Sequence, residues 1–392
     1  MPYYVKLGKV PPKRHTTFFK EDGKSLYREE LFSTKGFSGI YSNKYHIYMP
    51  PQVESIGELT NDLLKDSSEE WLNAPLQYYH FFTDKKQTTG NFLTARNEFL
   101  KNDHITIATA HPNEDTDIFF RNSYAHEVIF IHSGSGEFLS EYGRLSFVQW
   151  DYIVVPKGTT YQMKFSSKNG NKLFIVESDT PFEIPIHYRN EYGQLREDAP
   201  YYERDFKPPE LMQPIDRQGT YQLILKVQNR YFDYRLPHHP FDVVGWDGFL
   251  YPYTFNIKEF APKVGKLHLP PPIHLVFTTQ HFVLCNFVPR LFDFHPDSIP
   301  APYYHSNVDS DEVLYYVHGD FMSRTGVQVG SITLHPMGIP HGPQPGKTEA
   351  SIGKKETDEY AIMIDTFNPL KVTNNVRETM AGDYVRSWLE NK

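Results

Sequence analysis

The 392-residue chain holds one cysteine, Cys285. A single thiol excludes an internal disulfide framework and any thiolate zinc cluster, and it suits a reducing compartment. No run approaches the roughly 18 apolar residues that a membrane-spanning helix needs. The longest, such as EVIFIH (127–132) and IHLVF (273–277), are strand-length. The first eighteen residues lack the apolar core of a secretory signal, so the expectation is a soluble, cytoplasmic protein. No long Lys/Arg run occurs, and 40 basic against 48 acidic residues give a formal charge of −8. That balance argues against nucleic-acid and anionic-membrane partners. Helical signals are scarce too. Only 57–65 and 377–390 suggest helices, the latter with Met380, Val385, Trp388 and Leu389 roughly on one face, ending the chain as a helix.

What the chain has in surplus is proline (30), histidine (18) and aromatic side chains (15%). Proline breaks helices while Tyr and Phe suit pleated surfaces, so the composition predicts mainly β-structure. Short β-rich runs, 221–227 among them, alternate with Gly, Pro, Asn and Asp turns every 8–12 residues or so, as in sandwiches and barrels. The polar, aromatic stretch 188–209 shows no period and reads as a long connection. With one cysteine and many histidines, any metal site must be built from imidazole and carboxylate.

A weak internal duplication locates such a site. His305 and Asn307 are followed by Glu312 and Gly319, then by Gly330, Pro336, Gly338 and His341. Earlier in the chain, Phe120, Asn122, Glu127 and Gly134 repeat the first spacing, and Pro156, Gly158 and Tyr161 repeat the second. Only the later copy carries ligating side chains. His305 and Asn307 share one face of a strand, Glu312 enters the next strand, and His341 comes from a later hairpin, so His305, Glu312 and His341 can converge inside a small barrel. Two imidazoles and a carboxylate on one face of an ion, with the remaining positions open, form the facial triad of non-haem Fe(II) oxygenases, although Mn(II), Zn(II) and Ni(II) accept the same donors.

These two elements resemble those of the cupin superfamily, with Ile299 and Pro345 standing where the motifs usually have glycine and asparagine. The resemblance implies an all-β fold of two cupin (jelly-roll) barrel units with few short helices. The expected domains are 1–240, containing a degenerate cupin at about 106–180 with His126 and Glu127 near its would-be site, and 241–392, the catalytic cupin with the metal site and the C-terminal helix.

Longer stretches resemble the homogentisate 1,2-dioxygenase family: PFDVVGWDG (240–248), PYTFNIKEF (252–260), PAPYYHSN (300–307) and LHPMGIPHGP (334–343), with fainter echoes at 27–50 and 204–209. By this resemblance Fe(II) is the cofactor and His305, Glu312 and His341 are its ligands. The chain would open the ring of homogentisate with dioxygen to give maleylacetoacetate, in tyrosine and phenylalanine catabolism. The resemblance also implies a homo-oligomer, trimers pairing into hexamers, and a histidine base that takes the phenol proton. His268 matches the base position best and His274 competes with it. Asp311 is an alternative ligand to Glu312, because the spacing from His305 is one residue longer than in longer members. His335 is expected behind the ligands, orienting one of them. The family's Trp-His-Gly is Trp246-Asp247-Gly248 here, and its substrate-binding tyrosine is Phe321, which cannot donate a hydrogen bond. Arg324 is then the expected carboxylate donor, with Tyr304, Phe321 and His341 lining the substrate and Tyr303 a further candidate for the wall. Two other readings follow from these departures: cleavage of a related hydroquinone or gentisate-like substrate, and a non-catalytic bicupin that binds a metal or small ligand.

Overall fold

Continuous apolar runs such as 127–132 have no polar face to offer water, so the strands that carry them must be covered on both sides. The computed structural model, which describes residues 3–59, 69–269 and 271–389, shows how this is done. An eight-stranded sheet lies at the centre. Its path runs Tyr253–Asn256, Asp151–Val155, His126–Ser133, Lys172–Ser178, Ile105–Pro112, Arg96–Lys101 and Lys371–Val372, with Thr89–Gly90 pairing off this path.

Side chains alternate across its two faces with the period of two that a strand imposes. Ile129, Ile131, Ile153 and Ile175 point one way, into a core shared with Phe138, Phe147, Tyr161 and Met163 of a seven-stranded sheet that includes Gly136–Ser140, Thr160–Phe165 and Phe119–Asn122. Val128, Phe130, Tyr152, Val154 and Phe174 point the other way. They meet Leu284, Val313, Tyr315, Val317 and Ile362 of a six-stranded sheet ordered Leu275–Thr278, Phe282–Phe287, Tyr360–Thr366, Asp311–His318, Ile332–His335 and Tyr79–Phe81. Phe174 and Tyr315 stack across this junction with ring centroids 4.1 Å apart. The protein is therefore all-β, two barrel units back to back, and the duplicated spacing of the sequence is a duplicated structure. Gly134 and Gly319 occupy the same template position with φ of +106° and +104°, a conformation that favours glycine.

Chain segments cross between the halves. The strands Val243–Gly248 and Tyr253–Asn256 pair with Tyr41–His46 and Asp151–Val155, while Tyr79–Phe81 closes the edge of the six-stranded sheet. Two helix expectations need correction. Residues 57–58 end the strand Ser55–Glu58, which pairs with Arg230–His238, and 60–68 lie outside the described residues. The 377–390 segment is not one helix. Two 3₁₀ turns, Asn374–Thr379 and Tyr384–Trp388, flank a break where Met380 bridges Phe81 and the Ala381 amide donates to the His80 carbonyl (2.9 Å). Pairing with a strand edge took those backbone groups from the helix. Among the described residues the one α-helix is the short Lys347–Ser351, and no helix is long and apolar enough to cross a membrane.

The four-stranded sheet of the N-terminal part carries a buried charge cluster. Lys44 Nζ lies 2.7 Å from Glu30 and 3.2 Å from Glu141, and the His46 ring bridges Asp242 (2.8 Å) and Glu30 (2.9 Å). Burial alone would lower the His46 pKa, but the two carboxylates outweigh it and raise the value to about 9. Because the folded value lies above the ordinary 6.5 or so, this cluster stabilises fully below pH about 6.5 and loses that contribution as pH rises through about 9, up to about 3 kcal/mol in all. Urea midpoints measured from pH 6 to 10 should fall across that window, and His46→Gln should flatten the fall. Equal slopes in the two proteins would refute the assignment.

Candidate metal centre

Glu312 is the second residue of the strand Asp311–His318, and Val313, Tyr315 and Val317 face the shared core, so Glu312 faces the opposite side, into the second barrel. On that side the chain folds back on itself. His305 and His341 exchange both backbone hydrogen bonds (2.9 and 2.8 Å), and the Gly338 amide donates to the Asn307 carbonyl (2.6 Å). The resulting geometry brings together the three side chains expected from the spacing. Glu312 Oε2 lies 3.5 Å from His305 Nε2 and 3.5 Å from His341 Nε2. Donors held at about 2.1 Å from one ion sit roughly 3.0–3.4 Å apart, so the cluster is within a few tenths of an ångström of a ligating arrangement.

The ring tautomers follow from the partners. The Nδ1 atoms of His341 and His305 lie 3.0 and 3.2 Å from the Ile339 and Tyr303 carbonyls. A carbonyl only accepts, so each Nδ1 carries the proton and each Nε2 turns a lone pair toward Glu312. His341 Nε2 is buried with no hydrogen-bond partner. An orphaned acceptor is costly unless something positive meets it, and here it points at a carboxylate oxygen; a divalent cation satisfies all three atoms at once. The donor set fits a metal.

Behind the centre, His335 Nδ1 binds the other carboxylate oxygen of Glu312 (2.8 Å), and its Nε2 meets the Tyr384 hydroxyl (3.1 Å). Burial would raise the Glu312 pKa, but the surrounding imidazoles of His305, His335 and His341 hold it well below the usual carboxylate range. Burial pushes His335 down to about 4 against the pull of Glu312, so its ring is neutral at physiological pH. Asp311 is committed elsewhere, accepting from the Met337 (2.8 Å) and Leu370 (2.7 Å) amides.

The residues expected around the substrate are dispersed. Arg324 is buried. One of its Nη atoms donates to the Gly342 carbonyl, its guanidinium carbon lies 5.5 Å from the Trp388 ring centroid, and its Nε has no partner. Phe321 is buried edge-on against Tyr316 (4.7 Å). Tyr303 and Tyr304 are both exposed, and Tyr304 covers Gly342, where a Cβ would meet its ring at 2.6 Å. The half-exposed His268 ring sits edge-on to Tyr303 (5.2 Å), which is edge-on to His305 (5.9 Å). His274 is buried against Phe287, and burial lowers it to about 4.

Two features escaped the reading of spacing. Asp365 lies across from Glu312 in the sheet register and accepts from Asn307 (3.3 Å). Burial first, then the Glu312 charge, raises it to about 7. The other is in the first barrel, where the template's three ligand positions are Phe120, Glu127 and Tyr161. Each contacts the guanidinium of Arg96: Phe120 with its ring face (5.1 Å), Glu127 through a 2.6 Å ion pair and Tyr161 through a 2.9 Å hydrogen bond. Tyr161 pairs with Phe120 in the sheet as His341 pairs with His305. The first barrel thus holds a built-in cation where the second has only acceptors.

A β-barrel pair with two imidazoles and a glutamate converging in one barrel defines a bicupin with a candidate metal centre of the mononuclear, non-haem kind. The chain belongs to the homogentisate 1,2-dioxygenase family: the models described as the N-terminal and C-terminal parts of that enzyme match residues 81–257 and 268–392. It is a dioxygenase of that family. A protein of Saccharolobus solfataricus, provisionally described as a dioxygenase, is 42% identical over 391 residues, with 99% of both chains covered. The homogentisate 1,2-dioxygenase of Bradyrhizobium diazoefficiens is 26% identical over 288 residues, covering 69% of this chain and 63% of its own length. That of Rhodopseudomonas palustris is 26% identical over 301 residues, covering 73% and 65%. The chain thus spans less than two thirds of the length of these named enzymes. Among solved structures, a cupin 2 conserved barrel domain protein from Leptotrichia buccalis aligns over 70% of this chain and 88% of its own, with TM-score 0.32 and 9% identity.

Proposed function

We propose that the chain is an Fe(II)-dependent ring-cleaving dioxygenase that converts homogentisate and dioxygen to maleylacetoacetate, with iron held by His305, Glu312 and His341. The observation that carries this reading is the buried, partnerless Nε2 of His341, aimed with His305 Nε2 at one oxygen of Glu312. Iron(II) bound there supplies open positions at which an electron-rich phenol and dioxygen can meet.

The protein's own groups do the rest. His335 holds Glu312 in place through the oxygen turned away from the centre, so the carboxylate cannot rotate off. His268, on the rim beside Tyr303, takes the phenol proton at an imidazole nitrogen; a phenol of pKa about 10 needs such a base near neutrality. His274 is disfavoured because burial leaves it a weak base. Asp365, raised to about 7 by burial and the Glu312 charge, can keep a proton and so limit the negative charge around Glu312. The reading includes tyrosine and phenylalanine breakdown in the cytoplasm and assembly of the chain as a trimer or hexamer.

One observation favours a second reading. Phe321 offers no hydrogen bond, and the buried Arg324 is engaged by the Gly342 carbonyl and by Tyr384, so neither is free to clamp the carboxylate of the acetate arm. A related hydroquinone without that arm would need neither. Oxygen uptake after anaerobic loading with Fe(II) separates the two: consumption equimolar with homogentisate is expected, with gentisate and unsubstituted hydroquinone at least tenfold slower. Uptake on hydroquinone and none on homogentisate would sink the first reading and support the second. No uptake on any of the three, with iron bound, would leave a non-catalytic bicupin.

A further inference from the structure

We propose that the 3₁₀ turn Tyr384–Trp388 clamps the candidate metal centre, with Tyr384 and Trp388 acting as positioning residues for Glu312 and His341. The proposal rests on the reading of His305, Glu312 and His341 as ligands, and it says what keeps two of them in place. In a 3₁₀ turn, residues three apart fall on one side. Tyr384, Ser387 and Trp388 are accordingly buried or half-buried, while Val385 and Arg386 between them are exposed.

Each of these three side chains ends on a segment that carries or supports a ligand. The Tyr384 hydroxyl lies 3.1 Å from His335 Nε2, and His335 Nδ1 lies 2.8 Å from Glu312 Oε1. Trp388 Nε1 donates to the carbonyl of Gly342, next in sequence to His341 (3.1 Å). Ser387 Oγ accepts from the Gln344 side chain two residues further on (2.6 Å). Tyr78, its ring against Trp388 (5.0 Å), donates its hydroxyl to the Pro340 carbonyl. The loop is therefore held just before and just after His341.

The direction of each hydrogen bond follows from the groups. An ionised carboxylate only accepts, so His335 Nδ1 carries the proton and Nε2 is an acceptor. The Tyr384 hydroxyl must then donate to Nε2, and its oxygen meets the Arg324 guanidinium, which can only donate. The bonds run one way, from Arg324 through Tyr384 and His335 to Glu312. Arg324 also donates to the Gly342 carbonyl, and Trp388 supplies the second donor that such an oxygen can take. The same arginine and the same turn thus hold both the carboxylate ligand and the loop of the imidazole ligand.

Packing alone accounts for the rings of the turn and leaves their polar ends without a reason. The Tyr384 ring lies against His80 (5.3 Å), a contact that phenylalanine would make equally well. What phenylalanine lacks is the donor to His335, and His335 is fully buried, so water does not readily take its place. Removing the hydroxyl leaves a buried acceptor unmet and frees the ring to turn about its one remaining bond to Glu312. Outer partners of this kind fix the orientation of a ligand, and metal affinity falls when they are lost.

The test strips the full chain with chelator, titrates it with Co(II) under nitrogen, and reads affinity and the visible bands. Tyr384→Phe should bind Co(II) about tenfold more weakly, the low end of the loss typical for outer partners of a ligand. Its bands should shift while its circular dichroism matches wild type. Trp388 is only half-buried, so Trp388→Phe should fold. It should weaken binding about threefold, a smaller loss because Arg324 still meets the Gly342 carbonyl. His46→Gln, in the four-stranded sheet, controls for stability alone and should keep wild-type affinity and bands. Wild-type affinity and bands in both turn variants would overturn the clamp, as would an equal loss in His46→Gln. Failure of the ligand reading looks different: His341→Ala would bind Co(II) as tightly as wild type, and the clamp would fall with it.

Discussion

His341→Ala should cost the chain one equivalent of bound metal and lower ring-cleaving turnover at least about a thousandfold. Substitutions one layer behind a metal typically cost 10–100-fold, and this change removes a donor outright. The imidazole is buried and hydrogen-bonded to the Ile339 carbonyl through Nδ1, so alanine leaves neither a donor nor a group that water in bulk can easily replace. His335→Ala is the graded comparison. It touches Glu312 only at the oxygen facing away from the centre, and a loss of the smaller, 10–100-fold size is expected there. Iron content by elemental analysis and oxygen uptake measure both, with circular dichroism as the control for folding. A His341→Ala chain that keeps its iron and its turnover would refute the ligand assignment. Equal losses in the two variants would refute the layering.

Arg96→Met should destabilise the protein by about 3–5 kcal/mol, the cost typical of breaking a buried ion pair by removing one partner. The guanidinium is the positive centre of a dry cluster. It pairs with Glu127 at 2.6 Å and Glu177 at 3.1 Å, while Lys226 also holds Glu177, at 2.8 Å to each carboxylate oxygen. Burial works against every charge in this group, yet Lys226 and Arg96 keep Glu177 below its usual range. Methionine keeps the apolar stem of the side chain and supplies no charge, which strands Glu127 and its hydrogen-bonded Tyr161. Thermal midpoints should fall by about 4–6 °C. Adding Glu127→Gln to Arg96→Met should return part of the loss, because the neutral amide no longer needs a cation, and a double-mutant cycle would read the coupling directly. Additive losses would show that the cluster does not act as a unit.

The metal centre was legible in the sequence because its three members lie inside two motifs of fixed spacing, and a strand's period of two then decides where they point. Between Glu312 and Asp311 the strand separates the two: adjacent residues face opposite sides, and Asp311 is spent on two backbone amides. Arg96 was not legible. It precedes Glu127 by thirty-one positions, on a strand outside both motifs, and nothing in its neighbourhood distinguishes it from any strand arginine. Asp365 was hidden likewise, since only the sheet register places it beside Glu312. The C-terminal helix failed for a related reason. Amphipathic spacing at 380–389 is real, but the competing pairing with 80–81 is a tertiary event that a local window does not contain. Arg324 was expected at the substrate as a bidentate donor; its contact with the Gly342 carbonyl depends on the path of the 341–344 loop, which no spacing reveals.

The central sheet has no outside. Once both of its faces are apolar, neither half of the duplicated chain can drift, shed or be exchanged without presenting a bare hydrophobic wall to water, as the Phe174–Tyr315 stack makes plain. The first barrel needs no ion, since Arg96 fills that place, yet it cannot be removed without baring the wall it covers.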